Sequence, residues 1–234
     1  MIKLENVGKI YDLGRGSSVT AVRGVSLDIG SGEFVAIVGR SGSGKTTLLN
    51  LAAGLTKPTS GRVTIDGVEL WKLSDKQQSR LRGRKIGFVF QFPSLLPTLT
   101  VYENVILPVI FGSNGDRPDA HEWAEAMLHK VGLSDKLKAY PRQLSAGQQQ
   151  RVVIVRSLIN HPRLLLADEP TSNLDEKTEM EIMDLVRELH ASLGLTVVLV
   201  THTRQLISPG MRSIEMAEGR IVHGSAAGTQ GIRG

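Results

Sequence analysis

The octapeptide Gly39-Arg-Ser-Gly-Ser-Gly-Lys-Thr46 constrains this chain more than any other feature. It satisfies G-x-x-x-x-G-K-[S/T], and both flanks suit that motif. Before it, residues 33–38 (Glu-Phe-Val-Ala-Ile-Val) form a short, nearly continuous apolar run. That is the pattern of a strand buried on both faces, as in a parallel sheet. After it, residues 46–53 read as a helix that Gly54 ends. Glycines let backbone N–H groups wrap an anion, and a helix N-terminus adds favourable partial charge. Lys45 supplies a full positive charge for the β- and γ-phosphates of a triphosphate, and the Thr46 hydroxyl can ligate Mg²⁺.

The rest of the chain alternates strands and helices around this unit. Ile2, Leu4 and Val7 suggest a period-two strand, and residues 19–29 a second. Asp66-Gly67 between two apolar segments is a hairpin signal. Ser74 with Gln77, Thr100 with Glu103 and Ser145 with Gln148 have capping-box spacing ahead of helices. Pro118 suits the first turn of a helix running to Val131, with Gly132 as its end. Residues 86–90, 163–167 and 195–200 read as apolar strands, and 176–193 as an amphipathic helix. A hairpin is expected near Glu218-Gly219. Residues 114–118 read as a loop and 224–234 as a flexible tail. The fold class is α/β, with a phosphate-loop NTPase core on a mostly parallel sheet, an antiparallel β subdomain and a helical insert.

Two carboxylates, Asp168 and Glu169, close the strand at 163–167. In open α/β sheets, ligands sit beyond the carboxyl ends of the strands. Alone, such a pair also reads as a solvated helix cap. Beside a phosphate loop, Asp168 becomes the Mg²⁺ partner, and Glu169 a group placed to polarise water for attack on a γ-phosphate.

Composition narrows the chemistry. With no cysteine in 234 residues, disulfides, thiolate zinc sites, iron–sulfur clusters and a cysteine nucleophile are excluded. Aromatics at 4% argue against a stacking platform for single-stranded nucleic acid. The net charge of +5 suits anionic ligands or a membrane face without selecting between them. No apolar run approaches the roughly 20 residues a membrane span requires, and the first five residues show no apolar leader. Work at a membrane would then need a recruiting partner. The basic run Arg80, Arg82, Arg84 and Lys85 reads first as a solvated face.

Taken in order, these residues resemble the ATP-binding-cassette (ABC) ATPases. Leu144-Ser-Ala-Gly-Gln148 resembles the family's signature sequence, and Gln91, in Phe-Val-Phe-Gln, its Q-loop. Ser172-Asn-Leu-Asp175 is similar to the D-loop, and Thr201-His202 to the switch histidine. Tyr11 lies where the family's adenine-stacking aromatic is found, though it also reads as a packing residue. The resemblance covers residues 2–222 and is greatest to the lipoprotein-releasing and macrolide-exporting branch, on Lys57-Pro-Thr-Ser-Gly61 and Ile86-Gly-Phe-Val-Phe-Gln91 among others.

The resemblance implies an ABC ATPase domain over 1–223, with a helical subdomain over about 92–160 that carries the signature. It implies ATP-binding roles for Tyr11, Gly39, Arg40, Ser41, Gly42, Ser43, Gly44, Lys45, Thr46, Thr47 and Gln91. Mg²⁺ would lie on Thr46, Gln91 and Asp168, and catalysis would rest on Glu169 and His202. Ser145, Ala146, Gly147 and Gln148 would contact ATP held by a second copy, and Ser172, Asn173, Leu174 and Asp175 would form the D-loop. The implied protein is the ATP-hydrolysing subunit of a bacterial transporter, with ATP and Mg²⁺ as cofactors. It would be a homodimer with ATP and bind an integral membrane permease at the cytoplasmic face of the inner membrane, with no nucleic-acid partner. The competing reading is a non-transport ABC ATPase, acting through a membrane partner as in cell-division signalling, or in a soluble assembly machine. Ala146 departs from the family's second glycine, and its methyl is expected to crowd a phosphate or reshape the turn.

Overall fold

Strands with no exposed residue form the frame. In the computed structural model, which describes residues 1–14, 16–112 and 118–224, every residue of β3 (Phe34–Val38), β7 (Leu164–Asp168) and β8 (Thr196–Thr201) is buried. The continuous apolar runs in the sequence have this cause: neither face of these strands meets water. The expected tail beyond Gly224, and the expected loop at 114–117, lie outside the described residues. The chain divides into two units, Met1–Gln78 with Thr196–Gly234, and Ser79–Leu195.

The first unit holds an antiparallel sheet of β1 (Ile2–Gly14), β2 (Ser17–Ile29), β4 (Ser60–Ile65) and β5 (Val68–Glu69), in the order β2-β1-β4-β5. Ile2, Leu4, Val7, Val22, Val25, Leu27, Ile29, Val63 and Ile65 are among its buried residues, and over Ile2–Leu4 and Val25–Ile29 they alternate with exposed ones, as one covered face requires. Asp66 and Gly67 both take positive φ, 48° and 78°, which is the two-residue turn that the sequence signals. In the same unit β3 lies parallel to β8 on one side and to β9 (Arg212–Ala217) on the other. β9 then turns back into β10 (Arg220–Gly224). Helix α1 (Lys45–Ala52) follows β3 and buries Leu48, Leu49 and Leu51.

In the second unit β6 (Ile86–Val89) runs parallel to β7. Around them are α3 (Val101–Phe111), α4 (Ala120–Lys130), α5 (Ala146–Leu158) and α6 (Glu176–Leu193). The capping boxes form at Thr100 and Ser145, and Asp175 caps α6. Helix α2 (Asp75–Lys85) spans the division between the units, and Ser74 and Gln77 make the expected reciprocal bonds at its start. Pro118 is not in a first helical turn: Asp119 takes the N-cap position of α4, and the proline precedes it. The C-terminal end of α4 is as expected, with Gly132 in a left-handed conformation just after it.

Candidate functional site

In the first unit the phosphate loop leaves the end of β3 and enters α1. Glycine is required at two of its positions. A Cβ on Gly39 would land on the Met216 carbonyl oxygen of β9, and one on Gly44 on the Ala21 carbonyl oxygen of β2. Gly44 also sits at φ 99°, where side chains are strained. It is the N-cap of α1, and no side chain caps that helix. The loop therefore keeps the donor-rich start of a helix for something other than its own side chains.

Two polar groups are buried in this cradle. The Ser43 hydroxyl has no hydrogen-bond partner. The Lys45 side chain, 5% exposed, donates to the carbonyls of Gly39 at 2.9 Å and Arg40 at 3.1 Å. A buried ammonium on carbonyls and an orphaned hydroxyl together suit a phosphate, which satisfies both. Arg40, Ser41, Gly42 and Thr46 are exposed at the mouth, and Thr47 is half-buried.

His202 is placed beside this loop by strand register. Val38 pairs with Thr201, so Gly39 and His202 leave adjacent parallel strands at the same level. The Thr201 hydroxyl accepts from the Thr203 backbone N–H at 3.0 Å, which fixes the turn carrying the imidazole. Tyr11 lies in β1 opposite Val19, half-buried, with the Lys9 ammonium 5.0 Å from its ring centroid. Lys9 is itself held by the Lys57 carbonyl at 2.9 Å.

The second unit uses the same device. Val89 pairs with Ala167, so Phe90-Gln91 and Asp168-Glu169 leave adjacent strands together. Asp168 is buried and Glu169 half-buried. Glu169 has φ 45°, unusual for any side chain and more so before Pro170, because the residue before a proline favours extended backbone. Such a conformation costs about 1–3 kcal/mol and persists only where its surroundings impose it. Its carbonyl accepts from Ser172 N–H at 3.2 Å, and Leu174 N–H donates to Thr171 O at 3.0 Å. Two successive turns therefore run from Glu169 into the segment expected as the D-loop. The Asn173 amide reaches the Gln91 carbonyl at 3.5 Å. Arg156 of α5 donates to the carbonyl and hydroxyl of Ser94 at 2.7 and 2.8 Å, tying the segment after Gln91 to the signature helix. Burial pulls the pKa of Arg156 below its ordinary value.

The signature itself is the start of α5. Ser145 accepts from Gln148 N–H at 3.2 Å, and Gln148 Oε1 accepts from Ser145 N–H at 3.0 Å. Ala146 occupies the first helical position, exposed, and the Ser145–Gln148 cap forms across it. Gly147 is buried against α6, where a Cβ would lie 2.5 Å from Thr178 Cγ2. Thr178 is locked by Asp175, which accepts from its N–H at 3.0 Å and its hydroxyl at 2.7 Å. Those two bonds hold the Asp175 carboxyl below the usual carboxylate range. The segments expected as signature and D-loop are therefore joined through Thr178. The sequence reading missed that residue, although Asp175 three positions earlier is an N-cap signal.

For Mg²⁺, the oxygen donors of Thr46, Asp168 and Gln91 have the hard chemistry that ion takes. Among the described residues no cluster of three or more His, Cys, Asp or Glu side chains is placed to hold a metal ion. No described helix is long and apolar enough to cross a membrane.

Comparison with known proteins agrees with this geometry. Residues 22–172 match the family model described as ABC transporter. An uncharacterized ABC transporter ATP-binding protein of Thermotoga maritima is 48% identical, over 94% of this chain and 93% of its own length. A lipoprotein-releasing system ATP-binding protein, LolD, of Anaeromyxobacter dehalogenans is 47% identical, over 94% of this chain and 92% of its own. The macrolide export ATP-binding/permease protein MacB of Syntrophobacter fumaroxidans is 43% identical over 97% of this chain, which covers 32% of that longer protein. The solved dimer of an ATP-binding cassette in a post-hydrolysis state, bound to ADP and Pi, superposes with a TM-score of 0.87 at 43% identity. That match covers 96% of this chain and 98% of the other. The chain belongs to the ABC transporter family and is an ATPase of that class.

Proposed function

We propose that this chain is the ATP-hydrolysing subunit of a bacterial transporter of the export or lipoprotein-release type, acting on a separate membrane permease from the cytoplasmic face of the inner membrane. Residues 1–223 form its ABC ATPase domain, with the helical subdomain over about 92–160. Two copies pair head to tail with ATP, each nucleotide lying between one copy's phosphate loop and the other's signature. The observation that carries this reading is the cradle at Gly39–Thr46, where a buried ammonium and an orphaned hydroxyl lie in a loop that has no room for a side chain at Gly39 or Gly44. Exposed Phe92, Leu96, Ile110 and Phe111 give the second unit an apolar surface for the permease.

In this mechanism Tyr11 stacks on the adenine, and Lys45 with the loop amides neutralises the phosphates. Thr46, Asp168 and Gln91 would hold Mg²⁺, which would supply further charge neutralisation. Glu169 orients or activates the attacking water. His202 hydrogen-bonds the γ-phosphate. Ser145, Ala146, Gly147 and Gln148 close on that phosphate from the second copy, and Ser172–Asp175 form the D-loop. Closure of the pair drives the permease, and hydrolysis resets it.

Glu169→Gln separates binding from hydrolysis, because the amide keeps the side chain's size without its basicity. The variant should bind ATP, lose turnover by roughly a hundredfold or more, and accumulate as an ATP-dependent dimer in size-exclusion chromatography. Hydrolysis at the wild-type rate would remove Glu169 from the chemistry. An inactive variant that stays monomeric at saturating ATP would count against the shared-site dimer.

A further inference from the structure

We infer that Gly219, at the tip of the C-terminal hairpin, is a positioning residue for nucleotide binding: it forms the back wall that holds the phosphate loop in shape. The inference rests on the reading of Gly39–Thr46 as the ATP site, and it assigns a role to a segment outside the matched residues 22–172.

Three contacts converge on this tip. Gly219 N–H donates to the Ser43 carbonyl of the loop at 3.0 Å. Gly219 O accepts from Arg23 N–H of β2 at 2.8 Å, and the neighbouring Glu218 carbonyl accepts from Arg23 Nε at 3.1 Å. The tip is therefore a backbone bridge between β2 and the loop. On the loop's side, a Cβ on Gly44 would lie 3.4 Å from Gly219 Cα, besides meeting Ala21 O. The root of the same hairpin supports the loop's other end, since the Met216 carbonyl is what a Cβ on Gly39 would strike. Gly219 is itself buried, and a Cβ there would lie 2.8 Å from Ala21 O.

Ser43 carries the orphaned buried hydroxyl of the cradle, so the bond from Gly219 fixes the peptide of the residue most directly prepared for phosphate. The loop's amides bind an anion only while they converge, and converging N–H dipoles repel each other without one. A rigid acceptor–donor bridge behind the loop offsets that repulsion before nucleotide arrives.

The molecule contains its own control. Asp66-Gly67 closes the β4–β5 hairpin with φ of 48° and 78°, and Glu218-Gly219 closes β9–β10 with 48° and 77°. The turns share one backbone cost, but Gly67 is exposed, and a Cβ there would meet nothing within 4 Å. Substitution at Gly67 measures the turn alone, and at Gly219 the turn plus the wall.

The experiment uses the full chain with Gly219→Ala, Gly219→Asn, Gly67→Ala, Gly67→Asn and Lys45→Ala. The Asn variants tolerate positive φ and keep a folded turn should the alanines not fold. ATP affinity is measured by calorimetric titration, thermal unfolding without nucleotide, and KM and kcat for hydrolysis. Both Gly219 variants should bind ATP at least tenfold more weakly, with the loss in KM rather than kcat. The Gly67 variants should match wild-type affinity, and the Asn pair should melt within a few degrees of each other. Wild-type affinity in folded Gly219→Asn would overturn the inference. So would an equal loss in Gly67→Asn, which would reduce the effect to the turn. If Lys45→Ala also binds ATP as wild type does, the reading of the ATP site fails and this inference falls with it. A weakened Lys45→Ala beside a normal Gly219→Asn would sink the inference alone.

Discussion

The phosphate loop and the signature segment both end at a helix N-terminus, yet they are built by opposite means. At α1 the N-cap is Gly44 in a left-handed conformation, with no side-chain cap. At α5 the N-cap is Ser145 in extended backbone, and a reciprocal Ser145–Gln148 box consumes donors at the helix start. The first arrangement depends on the missing side chains of Gly39 and Gly44 and on carbonyls from β2 and β9 behind them. The second is self-contained at its tip and depends on tertiary packing only one turn in, where Gly147 meets Thr178. A helix start shaped by backbone alone leaves its field for a bound anion. A capped start has spent part of that field on itself and presents a hydroxyl and a side-chain amide instead.

Breaking the backbone-built site should have the largest effect. Gly44→Ala adds a methyl group against a backbone carbonyl that cannot rotate away, at a φ that alanine resists. Reshaping the loop forfeits one or more charge-assisted bonds, each worth about 1.5–3 kcal/mol. ATP affinity should fall by about a hundredfold, read by titration, with helix content by circular dichroism unchanged. Binding within twofold of wild type would show that the loop's shape does not depend on β2.

A smaller effect is expected one turn into the signature helix. Gly147→Ala gains about 0.5–1 kcal/mol of helix propensity and loses about 1–3 kcal/mol to overpacking. The loss should win, because Thr178 is pinned by two bonds to Asp175 and cannot swing its methyl aside. The comparison sharpens in the double variant Gly147→Ala with Thr178→Ser, which removes the methyl and keeps the hydroxyl. Urea denaturation should show the single variant destabilised by about 1–2 kcal/mol and the double variant largely restored. No recovery in the double variant would mean that Thr178 is not the obstacle.

The smallest effect belongs to the self-contained cap. Ser145→Ala removes one acceptor at the exposed start of α5 and should cost about 1 kcal/mol in urea denaturation. A cost several times larger would mean that this N-terminus is not self-contained, and the contrast with α1 would weaken.

Much of the fold was legible because its causes are local. Capping pairs, the Asp66-Gly67 and Glu218-Gly219 turns, and apolar runs four to six residues long act over a few positions. The Pro118 expectation failed by two residues: α4 begins at Ala120, and Asp119 at its N-cap position makes no side-chain cap bond. The motif residues stand out in the sequence, but the contacts that support them do not. Glu169's left-handed backbone contradicts what a residue before proline prefers, so no propensity could announce it. Thr178 and Gly219 act across gaps of 31 and 176 residues from Gly147 and Ser43, and neither carries a chemical signature of its own.

Short-range sterics and hydrophobic period specify which segments are buried strands and where most helices begin, so the residues alone announce those features. Only the tertiary structure decided that Val38 pairs with Thr201 and Val89 with Ala167, and so which loops leave their strands together. Strands buried throughout, such as β3, β7 and β8, have no exposed face to specify their pairing. Register between them is set by the packing of the whole sheet and not by any pattern within one strand.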